Sequence, residues 1–293
     1  MTGVILEAIS DYQQRVAIKD LCALVGISRS ALYREQKAVI EEKEHGNTVE
    51  IRNAIQTIAL VFPSYGYRRI TAALVRQGLI VNHKRVLRLM RSDNLLCLRK
   101  RSFVCTTDSN HKLPIYPNLT RGLVLNRINQ LWVADITYIR LQGEFVYLAV
   151  ILDAFSRRVI GWELATYLDS ELTLAALKMA LKNRSPLPGD LIHHSDRGVQ
   201  YAARAYTQLL QRHGIAVSMS RTGNPYDNAK AERFMWTLKS EEVYASDYQS
   251  LRSARSSIKE FLEKVYNQQR LHSALGYMPP AEFEQSLTVT ISP

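Results

Sequence analysis

Two runs of this chain decide how it is read: Ile192-His193-His194-Ser195-Asp196-Arg197-Gly198 and, downstream, Asn224-Pro225-Tyr226-Asp227-Asn228-Ala229-Lys230-Ala231-Glu232. Leu191 and Ile192 read as the end of a buried strand and Arg197-Gly198 as the turn that stops it, which sets Asp196 at a strand's carboxyl end. In open α/β sheets that is where ligands bind. Asn224 to Asn228 is a turn and helix-start signal, after which spacing to Leu238 is helical, so Glu232 falls near the amino end of a helix. The 35 residues between Asp196 and Glu232 suffice for a helix, a strand (Ile215 to Ser220) and a loop, and so allow the two acids to meet.

Working outward, Gln130 to Ile139 is rich in β-formers, Phe145 to Leu152 is a nearly continuous apolar run ending in Asp153, and Arg158 to Trp162 follows a tight turn. Helices are expected over Ser170 to Lys182 and Val199 to Gly214. The order β-β-β-α-β-α-β-α is that of an α/β, ribonuclease H-like fold: a mixed five-stranded sheet with flanking helices. It places Asp135 in the first strand, Asp196 after the fourth and Glu232 on the helix after the fifth. A few carboxylates suffice to hold a hard divalent cation, which takes oxygen ligands. Two such ions roughly 3.5–4 Å apart suit an in-line phosphoryl displacement. With 27 acids in the chain, spacing alone specifies nothing; each acid taken singly reads as a cap or an Arg partner.

The surrounding residues are specific. W-x-x-D-I-T-Y around Asp135, H-S-D-x-G-x-Q-Y from His194 to Tyr201 and N-P-Y-D-N-A-x-x-E around Glu232 resemble the catalytic signatures of bacterial insertion-sequence transposases of the DDE, or retroviral integrase, superfamily. The resemblance is to the group whose catalytic protein is encoded by the second of two overlapping frames. Tyr65 to Ile70 and the closing Tyr266-Asn267-x-x-Arg270-x-His272-Ser273-x-Leu275-Gly276-Tyr277-x-Pro279-Pro280 match the same group, so the likeness runs from about Asn47 to Phe283. It implies that Asp135, Asp196 and Glu232 are catalytic and bind Mg²⁺ or Mn²⁺, two ions per site. It also implies cutting at terminal inverted repeats and strand transfer by the freed 3′-hydroxyl. Lys239, seven residues after Glu232 and about 10 Å further along the same helical face, matches a position that faces DNA. His194 and Asn228 are expected to support the site, His194 near DNA phosphates. The partner is double-stranded DNA, bound by a dimer or higher oligomer. The group commonly fuses this protein by frameshift to an upstream helix-turn-helix and leucine-zipper segment; no heptad run here is long enough to be that zipper, so the chain alone is expected to be monomeric or weakly active.

The amino-terminal part is helical. Ile18 to Glu35, with Gly26 as the turn and Ser28 as a cap, resembles a helix-turn-helix, an ordinary helical hairpin being the equal alternative. Glu35 to Glu50, charged and holding Gly46-Asn47, reads as a linker or exposed helix end, with a boundary near residue 45. From Arg68 to Arg101, Arg68, Arg69, Arg76, Lys84, Arg85, Arg88, Arg91, Arg99, Lys100 and Arg101 face one acid, Asp93. A solvated face usually mixes signs, whereas a face of one sign is the footprint of phosphate contacts. Thr106 to Asn129 reads as an extended connector. The domains expected are 1–45, 46–105, 106–128, 129–245 and 246–293.

The net charge of +11, with pI near 9.6, favours a polyanionic partner, nucleic acid before a membrane surface. No apolar run reaches membrane-spanning length and residues 1–14 lack a signal pattern, so a cytoplasmic, nucleoid-associated protein is expected. Cys22, Cys97 and Cys105 form no C-x-x-C pair, against a disulfide framework or zinc module. Asp153, in D-x-x-S-R, reads as a turn cap or Arg partner, and Asp227 as the cap of the Glu232 helix. His193 and His194, adjacent on a strand, point to opposite faces and do not form a metal pair. The competing function classes are a non-transposing nuclease of this fold and a DNA-binding regulator whose catalytic half is spent.

Overall fold

A computed structural model describes residues 17–96, 113–221 and 228–289 of the 293-residue chain, which divides into two compact units, Met1–Leu96 and Cys97–Pro293. In the first unit, α1 (Ile18–Val25) ends at Gly26, whose φ of +74° is the left-handed C-cap that glycine adopts without strain. Ser28 caps α2 (Arg29–Val61), its Oγ accepting the Ala31 N–H at 3.2 Å. The expected linker over Glu35 to Glu50 is absent: α2 is one helix of 33 residues. Glu, Lys, Gln and Ala dominate that stretch and are strong helix formers, and the single Gly46 costs only about 1 kcal/mol. Then come α3 (Tyr67–Arg76) and α4 (His83–Ser92), the latter capped by Asn82 Oδ1, which accepts the Lys84 N–H at 2.8 Å. Ile51, Ile55, Ile58, Ile70, Leu74, Val86 and Met90 form the core of these helices.

In the second unit, β1 (Leu131–Arg140), β2 (Phe145–Asp153), β3 (Val159–Ala165), β4 (Ile192–Ser195) and β5 (Ala216–Met219) lie in the order β3-β2-β1-β4-β5. Antiparallel pairing joins β1 to β2 and β2 to β3; parallel pairing joins β1 to β4 and β4 to β5. Alternation along β1 sends Leu131 and Val133 to one face, under α8 (Ala229–Leu238) and α9 (Leu251–Glu260), and Trp132, Ala134 and Ile136 to the other. On that second face lie α5 (Ser170–Arg184), α6 (Val199–Ala202) and α7 (Arg204–Arg212). Gly161 sets α5 against the sheet: a Cβ there would stand 2.2 Å from the Ala176 carbonyl oxygen.

The single helix expected over Val199 to Gly214 is broken at Ala203, whose ψ of 136° is extended. On an unbroken helix Tyr201 and Tyr206, five residues apart, would diverge by about 140°. The break turns both rings inward, their centroids 5.4 Å apart, each against His193. The expected connector also differs: from Leu113 it packs on the sheet, Leu123 and Leu125 against one face and Tyr116 against the other. The segment after residue 245 shares the main core through Tyr248, Ile258, Phe261, Leu262 and Tyr266.

The last helix, α10 (Pro280–Val289), is held by a buried carboxylate. Glu284 accepts hydrogen bonds from Ser156 Oγ (2.6 Å), Arg158 (2.6 Å) and Arg184. Burial acts to raise the Glu284 carboxyl, but Arg184, Ser156 and Arg158 outweigh it and hold the group below the ordinary carboxylate range. A depressed folded-state value contributes stability that is present above the unfolded value and lost as pH falls through the folded one. Glu284→Gln should therefore cost about 3 kcal/mol at neutral pH, the effect of breaking a buried ion pair. Its difference from the unsubstituted protein should shrink as pH falls below about 4, measured by thermal unfolding across pH.

Candidate active site

The parallel register pairs Leu131 with Ile192 and Val133 with His194; Asp135 lies two residues beyond Val133 on β1, and Asp196 two residues beyond His194, just past the end of β4 at Ser195. Leu131, Val133 and Asp135 share a face by alternation, and that face lies under α8, which carries Glu232 in its first turn. Asn228 Nδ2 donates to the Ala134 carbonyl at 3.1 Å, pinning the start of α8 beside Asp135. Asp135 Oδ1 accepts the Ile136 N–H and Asp196 Oδ1 the Gly198 N–H, both at 2.9 Å.

Burial pushes the Asp135 carboxyl up to about 8; repulsion from Asp196 and Glu232 adds to this, while the Ile136 N–H and the Lys239 ammonium oppose it. Burial also raises Glu232, the most exposed of the three acids. Lys239 begins a π-helical turn (Lys239–Val243), with Nζ 4.5 Å from the centre of the Tyr138 ring. Burial lowers its ammonium and Asp135 raises it. The sequence thus locates Asp135, Asp196, Glu232 and Lys239 separately and the fold brings them into one field. Three carboxyls offset by one cation, with oxygen donors alone, make a donor set suited to a hard divalent ion. Among the described residues no three His, Cys, Asp or Glu side chains converge closely enough to hold an ion between them.

Other sequence expectations fare differently. His194 does not stand near a DNA-facing surface: it is fully buried on β4, opposite Ser218 on β5, with Nδ1 and the Ser218 hydroxyl sharing a 2.8 Å hydrogen bond. Ser218 Oγ also accepts the Leu119 N–H at 2.9 Å, so this pair ties the connector to the sheet. His193, pushed down to about 3 by burial and then by His194, is neutral and shares a 2.9 Å hydrogen bond with the Tyr206 hydroxyl. Asp153 is a turn cap: its carboxylate accepts N–H groups of Asn129 (2.7 Å), Phe155 and Ser156 (2.9 Å each). It pairs with Trp132, three residues back from Asp135, or roughly 10 Å along the strand. Asp227 lies outside the described residues. Tyr138 and Tyr201, each of which closes one of the motifs, also belong to this region. The Tyr201 hydroxyl is buried in the field of Asp135 and Asp196, and burial holds it well above the ordinary phenol value.

In the first unit, Lys84, Arg88 and Arg91 lie at i, i+4 and i+7 of α4 and are exposed on one face, opposite buried Val86, Leu89 and Met90. Arg68 is exposed, its guanidinium 5.3 Å from the Tyr67 ring centre, while half-buried Arg69 lies 5.5 Å from that of Tyr65. Arg85 is turned away from this face and donates to Thr48 Oγ1 at 2.8 Å. Asp93 pairs with Arg52 at 3.6 Å, a cation from outside the basic run. Arg99, Lys100 and Arg101 lie outside the described residues.

A ribonuclease H-like sheet with one acid within its central strand and another just past the end of the adjoining one, preceded by a basic helical unit, defines a class of nucleic-acid-processing proteins. Profiles described as "Integrase core domain" match residues 126–225 and 213–280, and one described as "HTH-like domain" matches residues 47–103. The Shigella sonnei "Insertion element IS600 uncharacterized 31 kDa protein" is 39% identical over 267 residues, 90% of this chain and 97% of that one. The Escherichia coli K12 "Transposase InsF for insertion sequence IS3A" is 33% identical over 284 residues, 94% of this chain and 96% of that one. Among solved structures, the catalytic core domain of BIV integrase is similar with a TM-score of 0.42 at 20% identity, covering 55% of this chain and 97% of that one. The chain belongs to the insertion-sequence transposases with an integrase core domain, and its helix-turn-helix-like region is of a DNA-binding kind. No helix among the described residues is long and apolar enough to cross a membrane.

Replacing Lys84, Arg88 and Arg91 together by Gln should reduce the slope of log affinity against log salt by roughly one per residue, read by fluorescence anisotropy on duplex DNA. Arg85→Gln should instead lower thermal stability and leave the slope nearly unchanged.

Proposed function

We propose that this protein is a metal-dependent DDE transposase that cuts DNA at the terminal inverted repeats of an insertion sequence and joins the freed 3′-hydroxyl to another strand. The observation that supports the reading is the β1–β4 register, from whose last pair, Val133 and His194, Asp135 and Asp196 each lie two residues on, with Glu232 on the helix over that face of the sheet. Asp135, Asp196 and Glu232 would hold two Mg²⁺ or Mn²⁺ ions, and these when bound supply positive charge to the phosphate and to the attacking and leaving oxygens. Asn228 fixes the register between α8 and β1, and the buried Tyr201 excludes water from below the acids. Lys239, half-buried in the field of Asp135, would meet a DNA phosphate, and the Lys84, Arg88 and Arg91 face would anchor the duplex. Joining two element ends calls for a dimer or higher oligomer on DNA, and fusion to an upstream-frame segment would supply further association. A spent regulator would be expected to have lost an acid; all three stand here. The basic helical unit and Lys239 favour a transposase over a non-transposing nuclease of the same fold.

The acids act as a unit in this reading, since losing one misplaces the charge that serves the others. Asp135→Asn, Asp196→Asn and Glu232→Gln should each lower end cleavage and strand joining by on the order of a thousandfold or more, with double variants scarcely worse. DNA binding should survive in all of them. Asp153→Asn should keep measurable activity, because that carboxylate caps a turn. An assay on cognate element ends in Mg²⁺ in which Glu232→Gln cuts and Asp153→Asn does not would move the third ligand to β2 and overturn the assignment.

A further inference from the structure

A cavity of about 220 Å³ opens on the α8 face of the sheet, walled by Leu123, Leu125, Val133 and buried Asn228 and rimmed by Arg121 and Lys230. At roughly 30 Å³ per water it has room for about seven, enough for one flat ring system and too little for a base pair. It shares both its supports with the acids. Val133 is one alternation from Asp135 on β1, about 7 Å along the strand, and Lys230 is two residues from Glu232 on α8. The outer wall comes from the connector, where the Leu123 N–H closes a tight turn onto the Thr120 carbonyl at 3.1 Å. Gly122, with φ of +77°, takes the left-handed position of that turn and holds Arg121 at the rim.

The lining carries two cations and no acid, and neither Arg121 nor Lys230 has an ion pair among the described residues. Lys230 is half-buried, and a half-buried ammonium without a counter-charge is stabilised by an anionic occupant. Asn228, only 5% exposed, spends its amide N–H on Ala134, while its Oδ1 accepts from no described residue. Cations at the mouth, leucine and valine walls and an unused acceptor at the back match the three parts of a nucleotide: phosphate, ring faces and a donor edge.

We propose that this cavity holds one unpaired nucleotide of the DNA strand that adjoins the cleavage point, its phosphate between Arg121 and Lys230 and its base against Leu123, Leu125 and Val133. A base drawn out of the stack there keeps the strand separated beside the acids and fixes which phosphate lies over them. The proposal rests on the transposase reading and refines it to a named subsite.

The test uses the full chain and a Y-shaped duplex of arbitrary sequence carrying 4-thiothymidine in one unpaired arm, irradiated without metal so that no cutting is needed. Adducts mapped by mass spectrometry are expected on the peptides containing Leu123, Leu125 or Lys230, and should fall about tenfold when the arm is fully paired. Arg121→Ala and Lys230→Ala should each lose most of that adduct and reduce the salt slope for the unpaired arm by about one. Both positions are exposed or half-buried, so circular dichroism should show the variants folded. Equal labelling with paired and unpaired arms, or undiminished labelling in folded Arg121→Ala/Lys230→Ala protein, overturns the subsite. Cleavage of cognate element ends by the unsubstituted protein in Mn²⁺, scored separately, reports on the transposase reading: its absence alongside the expected adducts would sink that reading and leave the nucleotide site standing.

Discussion

The burial of Asp135 in the field of two other acids is the constraint around which this end of the sheet is built. Asp135 is desolvated there and repelled by Asp196 and Glu232, with the Ile136 N–H and the Lys239 ammonium acting against them. The scaffold that enforces it is apolar on both sides of a central parallel pair, β1 and β4, whose register cannot slip by one residue without turning Asp135, Leu131 and Val133 to the opposite face. Repulsion at the site is thereby offset by burial far from it.

The carboxyl-terminal residues contribute to that rigidity in ways their motif does not announce. Buried Arg270 grips half-buried Glu241 through two nitrogens, at 2.7 and 2.6 Å, and so fixes the π-turn that begins at Lys239. The Tyr266 ring meets Phe234 of the Glu232 helix edge to face at 4.9 Å. The Asn267 carboxamide accepts the Val159 N–H and donates to the Val159 carbonyl, pairing with the outer edge of β3 as a strand would. Asn183 satisfies Ile160 and Arg255 satisfies Leu164 on the same edge. An edge occupied in this way offers no free row of amides to another sheet.

Much of this was legible in the sequence, because the strands announce themselves by composition and the acids by the residues around them. The Asn82 and Ser28 caps follow from local hydrogen-bonding chemistry and stand where that chemistry puts them. What failed was decided by distant partners. Nothing in Val199 to Gly214 marks Ala203 as a break; the demand comes from His193, which draws two tyrosines to one side. His194 looked available for DNA because its burial depends on Ser218, a strand away. The connector read as extended because its few apolar residues, Tyr116, Leu123 and Leu125, follow no helical period and yet find the core. Glu35 to Glu50 shows the opposite error: a charged run with one glycine was given less weight than its helix-forming residues warrant.

That uninterrupted α2 has a mechanical consequence. A helix of 33 residues is a rod about 50 Å long, so the turn at its amino end and the basic hairpin that packs near its carboxyl end are set at a fixed span. Their relative rotation is geared as well, because each residue of helix advances the rod by about 100°. Adding or deleting one residue within it would swing one end a quarter-turn out of phase with the other, whereas a seven-residue change would lengthen the rod and nearly restore the phase. Where a flexible linker would let the helices at its two ends find their own positions, this chain measures out both the distance and the angle between them.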